Sequence, residues 1–104
     1  MSRNVIRDTL VGLSDRVYHY SAPPDTPPPY IIWMEDGAND FETGNRHVEF
    51  VDQGTIDLYT LDEDDPLMQA IPAALNATPA AWYRNSVQYE EETKLIHYEW
   101  VWEV

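Results

Sequence analysis

The hydrophobic positions of this chain change period as it is read from one end to the other. Val5, Ile6, Leu10, Leu13 and Val17 recur at helical spacing, and the pattern predicts one apolar helical stripe over Asn4–Val17. Ser2 or Asn4 would cap it by accepting a backbone N–H bond. From Arg16 the pattern shifts, and VYHY reads as a short strand or an extended exit. Residues 21–29 (SAPPDTPPP) carry five prolines, which fix φ and remove donors, so the stretch is an extended connector. Tyr30–Glu35 (YIIWME) is apolar on both faces, the mark of a central strand.

A polar run with two glycines follows, DGANDFETGNR, the expected mobile loop and a contact arm in an assembly. His47–Leu61 holds two β runs, HVEFV and TIDLYTL, around Asp52-Gln53-Gly54. They form either a hairpin or one long strand bulging at Gly54, and the irregularity of a DQG turn favours the bent strand. Ile56 and Leu58 then share a face, with Asp57 opposite. Asp62–Asp65 precede an apolar helical segment; Asp64 or Asp65 caps it with Pro66 in the first turn. Pro72 predicts a kink or a restart, and NATP at 76–79 a stop. The tail AWYRNSVQYEEETKLIHYEWVWEV alternates with period two and predicts a hairpin. Ile96, Tyr98, Trp100 and Trp102 share one face of it.

These elements make an α+β domain: a mixed, largely antiparallel sheet with two helices on one face and a C-terminal β-hairpin. With 104 residues the chain is a single domain. It buries only about 65% of its unfolded surface, so each large aromatic counts. Four Trp and seven Tyr supply that apolar area, each with a polar tip. The net charge of −13 repels phosphate backbones and anionic membranes. There is no cysteine, hence no disulfide, thiolate metal site or thiol nucleophile. The N-terminal segment lacks the apolar centre of a signal peptide, and no apolar run reaches the ~20 residues that span a bilayer.

Candidate chemistry is thin. His19, His47 and His97 fall in predicted strands without metal-ligand spacing and read as structural residues. The DEDD run lacks the alternation of a calcium loop and reads as a helix cap. Glu90–Glu92 read as a solvated hairpin tip. No phosphate-binding loop or nucleophile elbow is present. No catalytic residue, cofactor or metal site is therefore expected. The Tyr98/Trp100/Trp102 row is either a stacking platform or, in the plainer reading, core packed against the helices. A stacking platform for bases needs cations, which are scarce here.

The order of parts resembles the small tail-completion or tail-terminator proteins of long-tailed bacteriophages and prophages. A short N-terminal helix, PPPYIIW, GTIDLYTL, a helix after an acidic turn and the terminal hairpin carry the resemblance over nearly the whole chain. It implies an α/β sandwich assembled as a ring, typically a hexamer, that caps the tail tube and joins it to the head. The implied partners are the tail tube protein, a head-completion protein and further copies of this chain. DNA would pass through without specific binding. The implied location is the virion tail, assembled in the bacterial cytoplasm. Candidate interface residues are Trp33, Asp40, Phe41, Glu42, Tyr59, Trp100 and Trp102. The alternative is an acidic DNA-mimic or anti-defence inhibitor of phage origin. Mimicry requires a continuous acidic stripe, whereas a ring subunit gathers its acids on one loop or edge.

Overall fold

The computed structural model describes residues 3–38 and 52–104. The elements run α1 (Asn4–Val11), β1 (Val17–His19), β2 (Tyr30–Ala38), β3 (Asp52–Thr60), α2 (Leu67–Asn76), β4 (Ala81–Glu90) and β5 (Leu95–Glu103). The five strands form one sheet in the order β1-β2-β3-β5-β4. β1 lies parallel to β2, and the other neighbours are antiparallel. This is the expected mixed, largely antiparallel α+β arrangement with a C-terminal hairpin.

Period two decides which side chains become core. Ile31 and Trp33 on β2 stand opposite Leu58 and Ile56 on β3, which stand opposite Tyr98 and Trp100 on β5. These six and Trp102 share one face and are buried. Ile6 and Leu10 from α1 and Ile71 and Leu75 from α2 complete the same cluster, so both helices cover that face. Each fully buried aliphatic side chain here contributes about 1.5–3 kcal/mol relative to exposure.

α1 is shorter than its apolar stripe. It stops at Val11 with Gly12 as C-cap, and the Ser14 hydroxyl then accepts the Arg16 N–H (3.0 Å), turning the chain into β1. Leu13 and Val17 still pack on the core, but from beyond the helix. Periodicity alone could not separate the two, because the turn returns them to the same side. The N-cap is Arg3, which makes no side-chain cap bond, so the expected cap at Asn4 is not what starts the helix; Ser2 lies outside the described residues.

The proline connector between β1 and β2 is not extended throughout. It turns at Pro23–Thr26, where the Thr26 N–H donates to the Pro23 carbonyl (3.3 Å) and Asp25 has φ 64°, and this return lets β1 and β2 lie parallel. Tyr20 opens the return with φ 75°, held by its N–H to the Trp33 carbonyl (2.9 Å). The Pro28–Pro29 bond is cis. β2 is paired along both edges, by β1 and β3, as expected of a central strand.

β3 runs unbroken through Asp52-Gln53-Gly54, with no bulge at Gly54; the irregularity lies opposite, between Glu35 and Gly37 of β2. The HVEFV run lies outside the described residues, as does most of the polar loop before it. Gly54 is needed for space: a Cβ there would sit 1.8 Å from the Met34 carbonyl oxygen and 2.7 Å from the Trp102 ring. The acidic turn works as a cap. Asp65 Oδ1 accepts the Leu67 N–H (2.9 Å), and its Oδ2 accepts the hydroxyl of buried Thr60 (2.6 Å). α2 then continues through Pro72 as one helix, without the restart, and ends at Asn76.

The two glycines give opposite predictions. Gly54→Ala is expected to cost about 3 kcal/mol or more, because backbone atoms cannot yield to the new methyl. Gly12→Ala should be neutral or stabilising by about 0.4–1 kcal/mol, since Gly12 has φ −75° and its nearest contact would be 3.5 Å. Urea unfolding of the two variants beside the parent measures both.

Candidate functional site

The helices leave the second face of the sheet uncovered by any described element. Register places cross-strand rows on it: Tyr30, Tyr59 and His97 in one, Ile32, Asp57 and Glu99 in the next, Met34, Thr55 and Val101 in a third. The first row is a stack. Tyr30 and Tyr59 lie 5.0 Å apart at 19°, and Tyr59 and His97 lie 4.3 Å apart at 17°. Such cross-strand aromatic pairs stiffen the strands that carry them.

One member of the stack is also bonded to the neighbouring row. His97 Nε2 is 2.6 Å from Asp57 Oδ1, and Asp57 Oδ2 accepts the Thr55 hydroxyl at 3.0 Å. Asp57 is buried although it points away from the helices. A buried carboxylate needs partners, and Thr55 and His97 supply them. The hydrogen bond to Asp57 raises the His97 pKa above its ordinary value against the opposing effect of burial, with Glu99 and Glu90 adding to the rise. Burial first, then the Asp57 charge, pushes the Tyr59 phenol up to about 12, so it stays neutral. At the rim, Asn85 Nδ2 donates to Glu99 Oε1 (2.8 Å). This face is therefore an amphipathic surface whose central Asp57 and His97 are hydrogen-bonded to each other.

A second cluster sits at the β1 edge. His19 stacks between Tyr20 (4.1 Å) and Trp33 (4.0 Å), and its Nε2 lies 3.0 Å from both Glu35 oxygens. Arg3 Nε also reaches Glu35 at 3.0 Å, and the Tyr20 hydroxyl donates to Glu35. Burial alone would raise the Glu35 pKa, but the bonds from Tyr20 and His19 outweigh it and leave it lowered.

The expected contact residues separate into three groups. Trp33, Trp100 and Trp102 are core, so they are not available as a surface of the folded chain; the plainer reading of the aromatic row holds. The reason is parity: they share the face that the helices cover. Tyr59 is half-buried on the uncovered face, where contact is open to it. Asp40, Phe41 and Glu42 lie outside the described residues. The Asp57–His97 pair was missed as a pair, because 40 residues separate its members; only the β3–β5 register joins them. Among the described residues no group of three or more His, Asp or Glu could hold a metal. None of the described helices is long and apolar enough to cross a membrane.

Two acidic segments lie at one end of the sheet. Thr60 of β3 pairs with Ile96 of β5, and Leu95 pairs with Glu90 of β4. The Asp62–Asp65 turn and the Glu90–Glu92 tip therefore lie at the same end of the sheet.

The fold is similar to that of a chain in the virion of a native gene transfer agent particle. The TM-score is 0.53, with 17% identity over 98% of this chain and 83% of that one. At this identity the likeness speaks for the fold. No protein-family model matches the chain, and no curated protein does either.

The Asp57–His97 pair makes stability depend on pH. A folded-state pKa above the ordinary ~6.5 gives a contribution fully present below that value and lost as pH rises through the folded value. The melting temperature should therefore fall from pH 6 towards pH 8.5. In Asp57→Asn this alkaline fall should flatten, and the absolute stability should also drop. Thermal melts across that range check both.

Proposed function

We propose that this chain is a structural virion protein, a tail terminator whose copies form a ring that caps the tail tube and joins the tail to the head. The fold shared with a virion chain over almost the full length is the observation that carries this reading. It agrees with the element order that suggested the same role from sequence. The site described supports it further: Asp57, His97 and Thr55 on the uncovered face are bonded to one another, as suits an assembly surface. On this reading the chain is not an enzyme, and its partners are the tail tube protein, a head-completion protein and its own copies.

The charge fits the role. A ring through which DNA passes must not hold it, and a carboxylate-rich surface lowers adhesion to a phosphate backbone. The gathering of two acidic segments at one end of the sheet favours a ring subunit over a mimic, which needs its acids strung along one stripe.

Light scattering over a range of concentrations is expected to show particles approaching six subunits of 12.1 kDa each. Purified tail tubes should bind the protein at one end. Failure to bind tubes, together with turnover tied to a specific side chain, would overturn the structural role.

A further inference from the structure

The two edges of the sheet are unlike each other. β4 is a ten-residue edge strand, and among the described residues only β5 pairs with it. Its start meets the helix layer, where Trp82 Nε1 donates to Asn76 Oδ1 at the end of α2 (3.0 Å), but Val87, Gln88 and Tyr89 are exposed. Tyr83 is 58% exposed on the uncovered face, and Val87 and Tyr89 are 48% and 58% exposed on the other. A long edge with open backbone groups and apolar side chains on both faces is a template for a further strand. Natural edges are commonly blunted by lysine, proline or extreme shortness. β4 has none of these and carries only one irregularity, between Arg84 and Ser86.

The opposite edge is short and less acidic, with Arg3 paired to Glu35 and Arg7 to Asp8. Residues 3–20 carry Arg3, Arg7 and Arg16 against Asp8 and Asp15, three of the six Lys and Arg in the chain. Residues 81–104 carry Arg84 and Lys94 against five glutamates. Val11 and Tyr20 are exposed large apolar residues at the α1/β1 edge. Copies of a chain with net charge −13 repel each other over most of their surface. Self-association is least opposed where the less acidic segment meets an acidic one.

We propose that the β4 edge of one copy docks on the α1/β1 edge of a second copy, extending the sheet from subunit to subunit. β4 runs towards the acidic end of the sheet and β1 runs away from it, so copies with that end aligned meet antiparallel. Glu90–Glu92 of one copy then approach Arg16 of the next. The contact is head-to-tail, uses two different surfaces, and closes into a ring rather than a two-fold dimer. This deepens the assembly role and rests on it for the closed ring.

Two variants test the pairing: Val87→Glu with Tyr89→Glu on β4, and Arg7→Glu with Val11→Glu on α1. All four positions are exposed, so circular dichroism should show both variants folded. The milder V87S/Y89S and R7S/V11S give the same ordering with smaller shifts. In sedimentation velocity up to about 1 mM, the parent is expected to associate beyond dimers and each variant to stay monomeric. Their equimolar mixture should stop at dimers, because one intact contact remains per pair. A parent that stays monomeric up to about 1 mM overturns the proposal. So does a parent that forms oligomers which survive either variant, or an α1 variant that keeps the parent's dimers, which would mean β4 against β4. Tube binding by the same parent sample separates the two failures: with binding intact only the edge assignment falls, and without binding or oligomers the terminator role falls too.

Discussion

The indole of Trp102 lies against the bare Cα of Gly54, and the core is arranged around that contact. Trp102 is fully buried, and the space it fills exists only because β3 lacks a side chain at the paired position. The seat fixes the register of β5 on β3. Every second residue of β5 is then committed to the helix-covered face, and Tyr98 and Trp100 follow Trp102 into the core. A one-residue slip would exchange them for His97, Glu99 and Val101, and would bury the charges where the helices have to pack. In so short a chain, two buried tryptophans are a large part of the buried apolar area.

One constraint then shapes both sides of the sheet. Once α1 and α2 cover one face, the opposite face has to manage its own polar groups. It does so locally: Asp57 takes Thr55 and His97, and Tyr59 lies between Tyr30 and His97. Hydrogen-bonded polar groups and stacked rings order that surface where no described element covers it. At the far edge, Glu35 gathers Arg3, His19 and Tyr20, which ties α1 and the start of the proline connector to β2. β4 is tied down near its start, by Trp82 to Asn76 of α2 and by Asn85 to Glu99, whereas Tyr83, Val87 and Tyr89 remain exposed.

Element types were legible in the sequence because alternation and turn chemistry are local. The hairpin showed itself in Ile96–Trp102, the cap in Asp65, and the central strand in the two apolar faces of YIIWME. The failures were long-range. Val17 matched the helical period of α1, and only the Ser14 turn moves it to β1. Gly54 looked like a bulge, because a glycine inside a strand usually marks either a bulge or a close approach, and sequence cannot choose between them. Trp33, Trp100 and Trp102 looked like contact residues, because large aromatics serve cores and interfaces equally. Facing was readable from alternation; which face the helices would choose was not. The Asp57–His97 pair had no local signal at all.

The unequal edges bear on assembly more directly than the total charge does. Net charge sets how strongly copies repel, but the placement of the few cations decides where repulsion is weakest. Half of them lie on α1 and the entry to β1, at one margin of the sheet, while the exposed Tyr and Val of β4 lie at the other. A symmetric dimer through β4 would leave the α1/β1 margin unused, and one through β1 has only three residues to offer. Head-to-tail contact uses both margins and keeps every acidic end on the same side. Copies joined in that way would present a ring of carboxylates at one rim, formed by the Asp62–Asp65 turns and the Glu90–Glu92 tips. That rim would repel a passing phosphate backbone by its placement, with no residue needing to recognise DNA.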